Sequence, residues 1–316
     1  MVRCYLQKQV YLPWSQIFID AGWPNYSADI MKQLIITGDD FGLTIAGNRA
    51  IEIAHRDGVL SATSLMVGEA ATADAISRAI KLPELRVGLH LVLIQGTPVL
   101  APEEIPDLVT VNGVFRDTLF STGVLYFFKP GIRRQLELEI RAQFQAFVNS
   151  GLKLDHVNAH HHMHLHPTIL GLILKIGKEY DMRAIRIPYE PPFSSRYDPT
   201  MARLGSLITM VGLAPWTLWM RQRLKKASVF SNDYIFGLND SGRMSEAVLL
   251  DLINNLPDGS SEIYFHPVLE GNLKSDPDSA DTQGGSELRA LISPKVRNLL
   301  DKLNLQPAGF SDFINA

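Results

Sequence analysis

The chain has a single cysteine, Cys4, in 316 residues. An internal disulfide is therefore excluded, as are a CxxC redox pair and a cysteine-built zinc cage. A reducing, cytoplasmic setting fits this usage. Excess positive charge is also missing: 30 Lys and Arg stand against 33 Asp and Glu, for a formal net charge of -3. No broad basic surface is available to a phosphate backbone, which argues against a nucleic-acid partner. Internal repeats, low-complexity tracts and linker-like stretches are absent. Residues 1–30 do not read as a signal peptide, because Pro13, Gln16 and Asp20 break their apolar run and no small-residue cleavage pattern follows. They are expected to be a disordered or misassigned N-terminal extension, with the domain opening at Met31 in "MKQLIITGDDFG".

What is present is enough apolar material for a large core, 46% of residues, and one α/β domain over 31–316 is expected. Short apolar runs that read as strands lie at 34–37, 62–67, 86–93, 153–160, 183–188 and 262–267. Helical patterns alternate with them. Thr44 can cap a helix running to about Asp57, with Gly58 closing it in the left-handed conformation. Ile132, Leu136, Ile140, Phe144 and Phe147 mark a second helix over 132–150, ended by Gly151. This alternation predicts a parallel sheet, either left open or closed into a β/α barrel. Polar residues capable of chemistry fall at or near several strand ends: Asp39, Asp40, His90, His160, Arg186 and His266. In a barrel these ends share one face.

Six of the nine histidines crowd into "DHVNAHHHMHLHP", residues 155–167. Read as extended chain, His160, His162, His164 and His166 line one side and His161 the other. Two imidazoles and one carboxylate, with water in the remaining positions, make an open catalytic metal site. Neighbouring histidines would then contact substrate or fix ring orientation. The pair Asp39 and Asp40 can divide the work of metal-assisted hydrolysis between holding the cation and taking a proton from water. Arg186 suits a carboxylate partner at the barrel rim that orients Asp39, and His266, before Pro267, suits a general acid. The segment 204–226 begins with seventeen uncharged residues, is interrupted by Pro215 and ends in a basic cluster. It reads either as a lipid-facing flap, with Trp216 and Trp219 at headgroup level and Arg221, Arg223, Lys225 and Lys226 toward anionic lipid, or as a buried hairpin with a solvated basic end.

With "TGDDFGL" at 37–43, "GLHLVL" at 88–93, "DHVNAHHHMHLHP" at 155–167 and "HP" at 266–267, the chain resembles the YdjC-like carbohydrate deacetylases, which include chitooligosaccharide deacetylases. "SLMVG", "RRQLELEIRAQF", "AIRIPYEPP", "SNDYIFGL" and "SEIYFHP" are similar to the hopanoid-biosynthesis-associated HpnK branch. The resemblance implies a distorted β/α barrel and divalent-metal-dependent removal of acetyl from an N-acetylated sugar. The implied substrate in this branch is an N-acetylglucosaminyl hopanoid headgroup; a chitooligosaccharide or other acyl-sugar, or a non-catalytic lipid-binding role, are the alternatives. Carried over by position, Asp40, His90 and His160 are the metal ligands, Asp39 the base and His266 the acid. Arg186, His162 and His164 are left to contact substrate or orient the ligands, with His164 also a weaker candidate ligand at i+4 from His160. Magnesium is the ion the family implies, whereas mixed imidazole and carboxylate ligation suits zinc, cobalt or manganese better. The cysteine usage and the flap reading of 204–226 place the protein in the cytoplasm, in peripheral contact with the inner face of the membrane, and an oligomer is left open.

Overall fold

The computed structural model describes residues 32–118, 126, 130–191, 215–269 and 283–314. The expected extension at 1–30 lies outside them. Six strands form one parallel sheet: β1 (Gln33–Phe41), β2 (Ala62–Leu65), β3 (Arg86–Leu91), β4 (Val157–Ala159), β5 (Tyr234–Phe236) and β6 (Ser260–Phe265). Their order is β4-β3-β2-β1-β6-β5. Central β1 reads as an almost unbroken apolar run because both of its faces are covered, and Leu34, Ile35 and Ile36 have no exposed surface.

The main chain continues the sheet beyond β4. Val157 N donates to Ala184 O and Arg186 N to Val157 O, both at 3.0 Å. Ile185 N donates to Phe230 O at 2.9 Å, and Ile235 N to Tyr189 O at 3.0 Å. Residues 183–189 thus join β4 to the segment entering β5 and curl the α/β domain into a distorted barrel. The strand expected at 183–188 is reduced to bridges at Ala184 and Ile185. Its continuation is replaced by a side chain: the Asn232 amide accepts from Ile187 N at 2.7 Å and donates to Ile187 O at 2.9 Å. Strand β5 was not expected, since three residues are too few to show a period.

Helices cover the sheet: α1 (Ile45–Arg56), α2 (Thr72–Ala79), α3 (Pro130–Asn149), α4 (Pro167–Gly177), α5 (215–226), α6 (Glu246–Asn254), α7 (Gln283–Leu291) and α8 (Pro294–Lys302). Thr44 caps α1 as expected, its Oγ1 accepting from Gly47 N at 3.0 Å. Gly58 does not supply a left-handed residue. Its lack of a side chain serves close packing instead, because a Cβ there would lie 2.5 Å from both Ala54 O and Leu291 O. In α3 the five expected apolar positions are all buried, and Gly151 follows at φ 75°.

The part of 204–226 before Pro215 lies outside the described residues. In α5, Met220 and Leu224 are buried and Trp219 packs on the core. Two residues expected to face lipid are held by protein: Trp216 Nε1 donates to Leu165 O at 2.5 Å, and Arg221 reaches Asn232 O at 3.4 Å. Leu218, Arg223, Lys225 and Lys226 remain exposed.

At the N-terminal ends of the strands, Asp155 anchors the C-terminal turn Ser311–Phe313. It accepts from Phe310 N at 3.1 Å, Ser311 N at 2.9 Å, Ser311 Oγ at 2.6 Å and His156 Nδ1 at 2.8 Å. Burial pushes this carboxyl up, but the His156 and Ser311 hydrogen bonds outweigh it and hold Asp155 below the ordinary aspartate range. Asp155→Ala should therefore cost about 1–3 kcal/mol at neutral pH in urea titration, from the buried donors left unsatisfied. A folded-state pKa lowered in this way stabilises above the unfolded value of about 3.9 and ceases to do so as pH falls through the folded value. The gap between wild type and variant should thus be constant near neutrality and close only in that acid window.

Candidate metal centre

The two carboxylates of "GDDFG" leave β1 through an irregularity: the register with β2 shifts between Gly38 and Phe41. Asp40 sits at φ 62°, in the left-handed region that Asp tolerates better than most residues. Gly42 follows at φ 102°, and a Cβ there would lie 2.7 Å from Met66 O. The Asn48 side chain, from α1, accepts from Gly42 N at 2.7 Å and secures the turn. In a regular strand Asp39 and Asp40 would point to opposite faces. The irregular turn lets one reach into the barrel interior and the other its mouth.

His90 on β3 stands in register with Asn158 on β4. The His90 Nδ1 lies 2.7 Å from Asn158 Oδ1. An amide oxygen only accepts, so Nδ1 donates to it and Nε2 is the nitrogen turned toward the cluster. That Nε2 is 3.3 Å from Asp40 Oδ1 and 3.3 Å from His160 Nδ1. His160 Nδ1 is itself 3.3 Å from Asp40 Oδ1. One ligand atom from each of Asp40, His90 and His160 lies within 4.8 Å of the others, a grouping unique among the described residues. Asp40 Oδ1 is buried without a well-formed hydrogen bond. Such an oxygen, facing two imidazole nitrogens, fits a divalent cation.

Electrostatics point the same way. Arg186 is fully buried and forks to two carboxylates. Its Nη1 and Nη2 donate to Asp39 Oδ2 at 2.5 Å and Oδ1 at 2.9 Å, while Nε and Nη2 donate to Glu262 Oε2 at 2.9 Å and Oε1 at 2.6 Å. Burial would raise the Asp39 pKa, but the Arg186 guanidinium outweighs it and holds the carboxyl far below the usual range. Ser64 Oγ at 2.8 Å and Asn158 Nδ2 at 3.1 Å complete the donors to Asp39. Asp39 and Glu262 share this one guanidinium, and Asp40 faces the imidazoles of His90 and His160 instead. Burial also works against the Asp40 carboxylate, yet His160 and His90 hold its pKa well down. His90 is correspondingly raised: burial alone would lower it, but Asp40 and Asp39 outweigh burial. The excess negative charge therefore favours cations at this point.

His266, just past β6, brings Nε2 to 4.0 Å from Asp40 Oδ2 and is 37% exposed. Asp39, Asp40, His90, His160, Arg186 and His266 thus converge at one end of the barrel. Arg186 occupies the interior and not the rim, below the Tyr264 ring at 5.1 Å. The histidine row does not alternate. The chain over residues 160–165 turns tightly through a kink, with His161 at φ 50° and His162 at φ 54° in the left-handed region. His161 consequently swings to Gln95, its Nε2 lying 2.5 Å from Gln95 Oε1. His162 and His164 stand outside the three-ligand group. Burial first, then the charge of Arg186, pushes His162 down to about 3, and burial likewise keeps His164 well below the ordinary value. Both are neutral rings at working pH. Sequence reading did not single out Ser64, Asn158, Glu262 or Tyr264. Their one signal was a polar atom inside an apolar strand, which must find a partner when buried.

A family model described as YdjC-like protein matches residues 33–302. A carbohydrate deacetylase of Brevibacillus brevis is 39% identical over 164 residues, which cover 51% of this chain and 60% of that protein. A carbohydrate deacetylase of Vibrio cholerae is 36% identical over 167 residues, covering 52% and 64%. The alignments span less than two thirds of these relatives' own length. A solved Enterococcus faecalis structure, provisionally named for cellobiose-phosphate cleavage, shares the fold with a TM-score of 0.65 at 23% identity, covering 89% of this chain and 98% of that one. The family match runs from β1 through α8 and takes in all six converging residues, so the chain belongs to the YdjC-like protein family.

Proposed function

We propose that the protein is a metal-dependent carbohydrate N-deacetylase. The observation that carries this reading is the buried, unsatisfied Asp40 Oδ1 facing His90 Nε2 and His160 Nδ1, with His266 Nε2 4.0 Å from the other Asp40 oxygen. The naming of the deacetylase relatives supports the substrate class. A divalent ion held by Asp40, His90 and His160 would polarise the acetyl carbonyl and acidify water; magnesium follows the family resemblance, and zinc, cobalt or manganese suit the imidazoles. Asp39 takes the water proton. Arg186 keeps Asp39 ionised and weakens it as a base, so proton transfer to Asp39 runs uphill and would be eased by the acidity a bound cation would give the water. His266, the more exposed of the titratable groups, delivers a proton to the departing sugar nitrogen, yielding acetate and a free amine.

The substrate we favour is the N-acetylglucosaminyl headgroup of a hopanoid glycolipid. It is supported by the branch-specific stretches of sequence and by the exposed Leu218, Arg223, Lys225 and Lys226 on α5, a surface suited to peripheral contact with an anionic membrane. Among the described residues no helix is long and apolar enough to cross a membrane.

Metal-depleted protein reloaded with one divalent ion at a time should release acetate from N-acetylglucosaminyl hopanoid, and Asp39→Asn should lower the rate by roughly 10²–10⁴. Tight metal binding without acetate release for any ion would overturn the activity. Arg186→Met should destabilise the fold by about 3–5 kcal/mol in urea titration, since it strands two buried carboxylates. Arg223→Glu with Lys225→Glu and Lys226→Glu should abolish salt-sensitive sedimentation with anionic liposomes while sparing turnover of a short soluble N-acetyl sugar. Equal loss on both would make α5 a purely structural helix.

A further inference from the structure

Among the buried carboxylates that the proposed chemistry does not use, one bonds the main chain of a proposed catalytic residue. Glu287 lies on α7, 1% exposed, and faces the chain that leaves β6. Its Oε2 accepts from His266 N at 2.5 Å and its Oε1 from Gly242 N at 3.0 Å. Met244 N is a further backbone donor to it. One carboxylate therefore ties the loop after β5 to the residue that carries the His266 ring. His266 is followed by Pro267, which has no N–H, so the His266 amide is the only main-chain donor of this dipeptide. The residues beyond are fastened as well: Val268 N donates to Gly284 O at 3.1 Å and Leu269 N to Ala46 O at 3.2 Å. Gly284 permits this closeness, since a Cβ there would lie 2.7 Å from Val268 Cβ. The segment is thus held between α7 and α1.

We propose that Glu287 is a positioning residue: by holding the His266 main chain it sets where the imidazole stands relative to Asp40. The assignment rests on the deacetylase reading, in which His266 protonates the leaving nitrogen. Glu287 touches neither substrate nor the reacting atoms and acts only through His266.

The test compares two substrates with different needs for an acid. A departing sugar amine must be protonated, whereas the 4-nitrophenolate of 4-nitrophenyl acetate leaves unaided. Glu287→Ala should lower kcat for the N-acetyl sugar roughly 10–100-fold, with KM and metal content unchanged, while 4-nitrophenyl acetate turnover stays within about threefold. Glu287→Gln, which keeps one acceptor oxygen, should recover part of the loss. In the His266→Ala background, Glu287→Ala should add nothing further. Equal losses on both substrates, or fully additive losses, would reduce Glu287 to a fold-stabilising residue. The histidine-ring NMR resonance of His266, assigned by His266→Ala, provides a readout independent of turnover. If the amide is not hydrolysed at all, the deacetylase reading fails, and a His266 resonance that moves in Glu287→Gln still upholds the positioning, whereas an unmoved one overturns it.

Discussion

The Arg186 guanidinium, enclosed between Asp39 and Glu262, is the interaction on which the rest of the barrel mouth depends. A buried cation without partners would be prohibitively costly, and two buried carboxylates without a cation equally so. Each of the three therefore requires the others. They arrive from distant parts of the chain, β1, the bridge region at 183–189 and β6, so the ion network also closes the sheet where regular strand pairing is thinnest. Its planar fork fits two carboxylates at once, which lysine could not do.

Above that network the arrangement is one of graded burial. Asp39 is nearly sealed and its charge is fixed by Arg186. Asp40, displaced by the left-handed turn, lies at the boundary with solvent and carries the unsatisfied oxygen. His90 is oriented from behind by Asn158 and Ser64, which also reach Asp39. The same polar cluster thus fixes the tautomer of one proposed ligand and the geometry of the proposed base. The positive φ at Asp40 costs on the order of 1–3 kcal/mol, and it separates two adjacent carboxylates into different environments.

The histidine-rich stretch serves two ends of the barrel. His156, stacked on Phe310 with ring centroids 4.4 Å apart, belongs to the structural anchor around Asp155. His160, a strand's length further on, belongs to the candidate metal centre. Crowding in sequence therefore does not mean crowding at one site. The turn at 160–165 divides the remaining imidazoles among the ligand group, the Gln95 contact and the neutral interior.

Much of the architecture was legible in the residues alone. Alternating apolar runs and capped helical patterns marked the parallel α/β domain, because burial imposes a period on each element. The strand-end positions of Asp39, Asp40, His90, His160 and His266 marked the mouth of the barrel, because parallel strands bring their C-terminal ends to one face. Strand β5, the interior placement of Arg186, the inward turn of Trp216 and Arg221, and the partners Ser64, Asn158, Glu262 and Glu287 were not legible. They depend on contacts between segments far apart in the chain, and no local period records such contacts. Backbone sign was hidden as well: the left-handed residues at Asp40, His161 and His162 are imposed by what surrounds them, since their own preferences favour ordinary extended or helical chain. The sequence by itself determined which chemical groups are available and on which elements they ride. Only the tertiary structure decided which of them meet, because that choice is made by long-range packing and by the requirement that every buried charge find its partner.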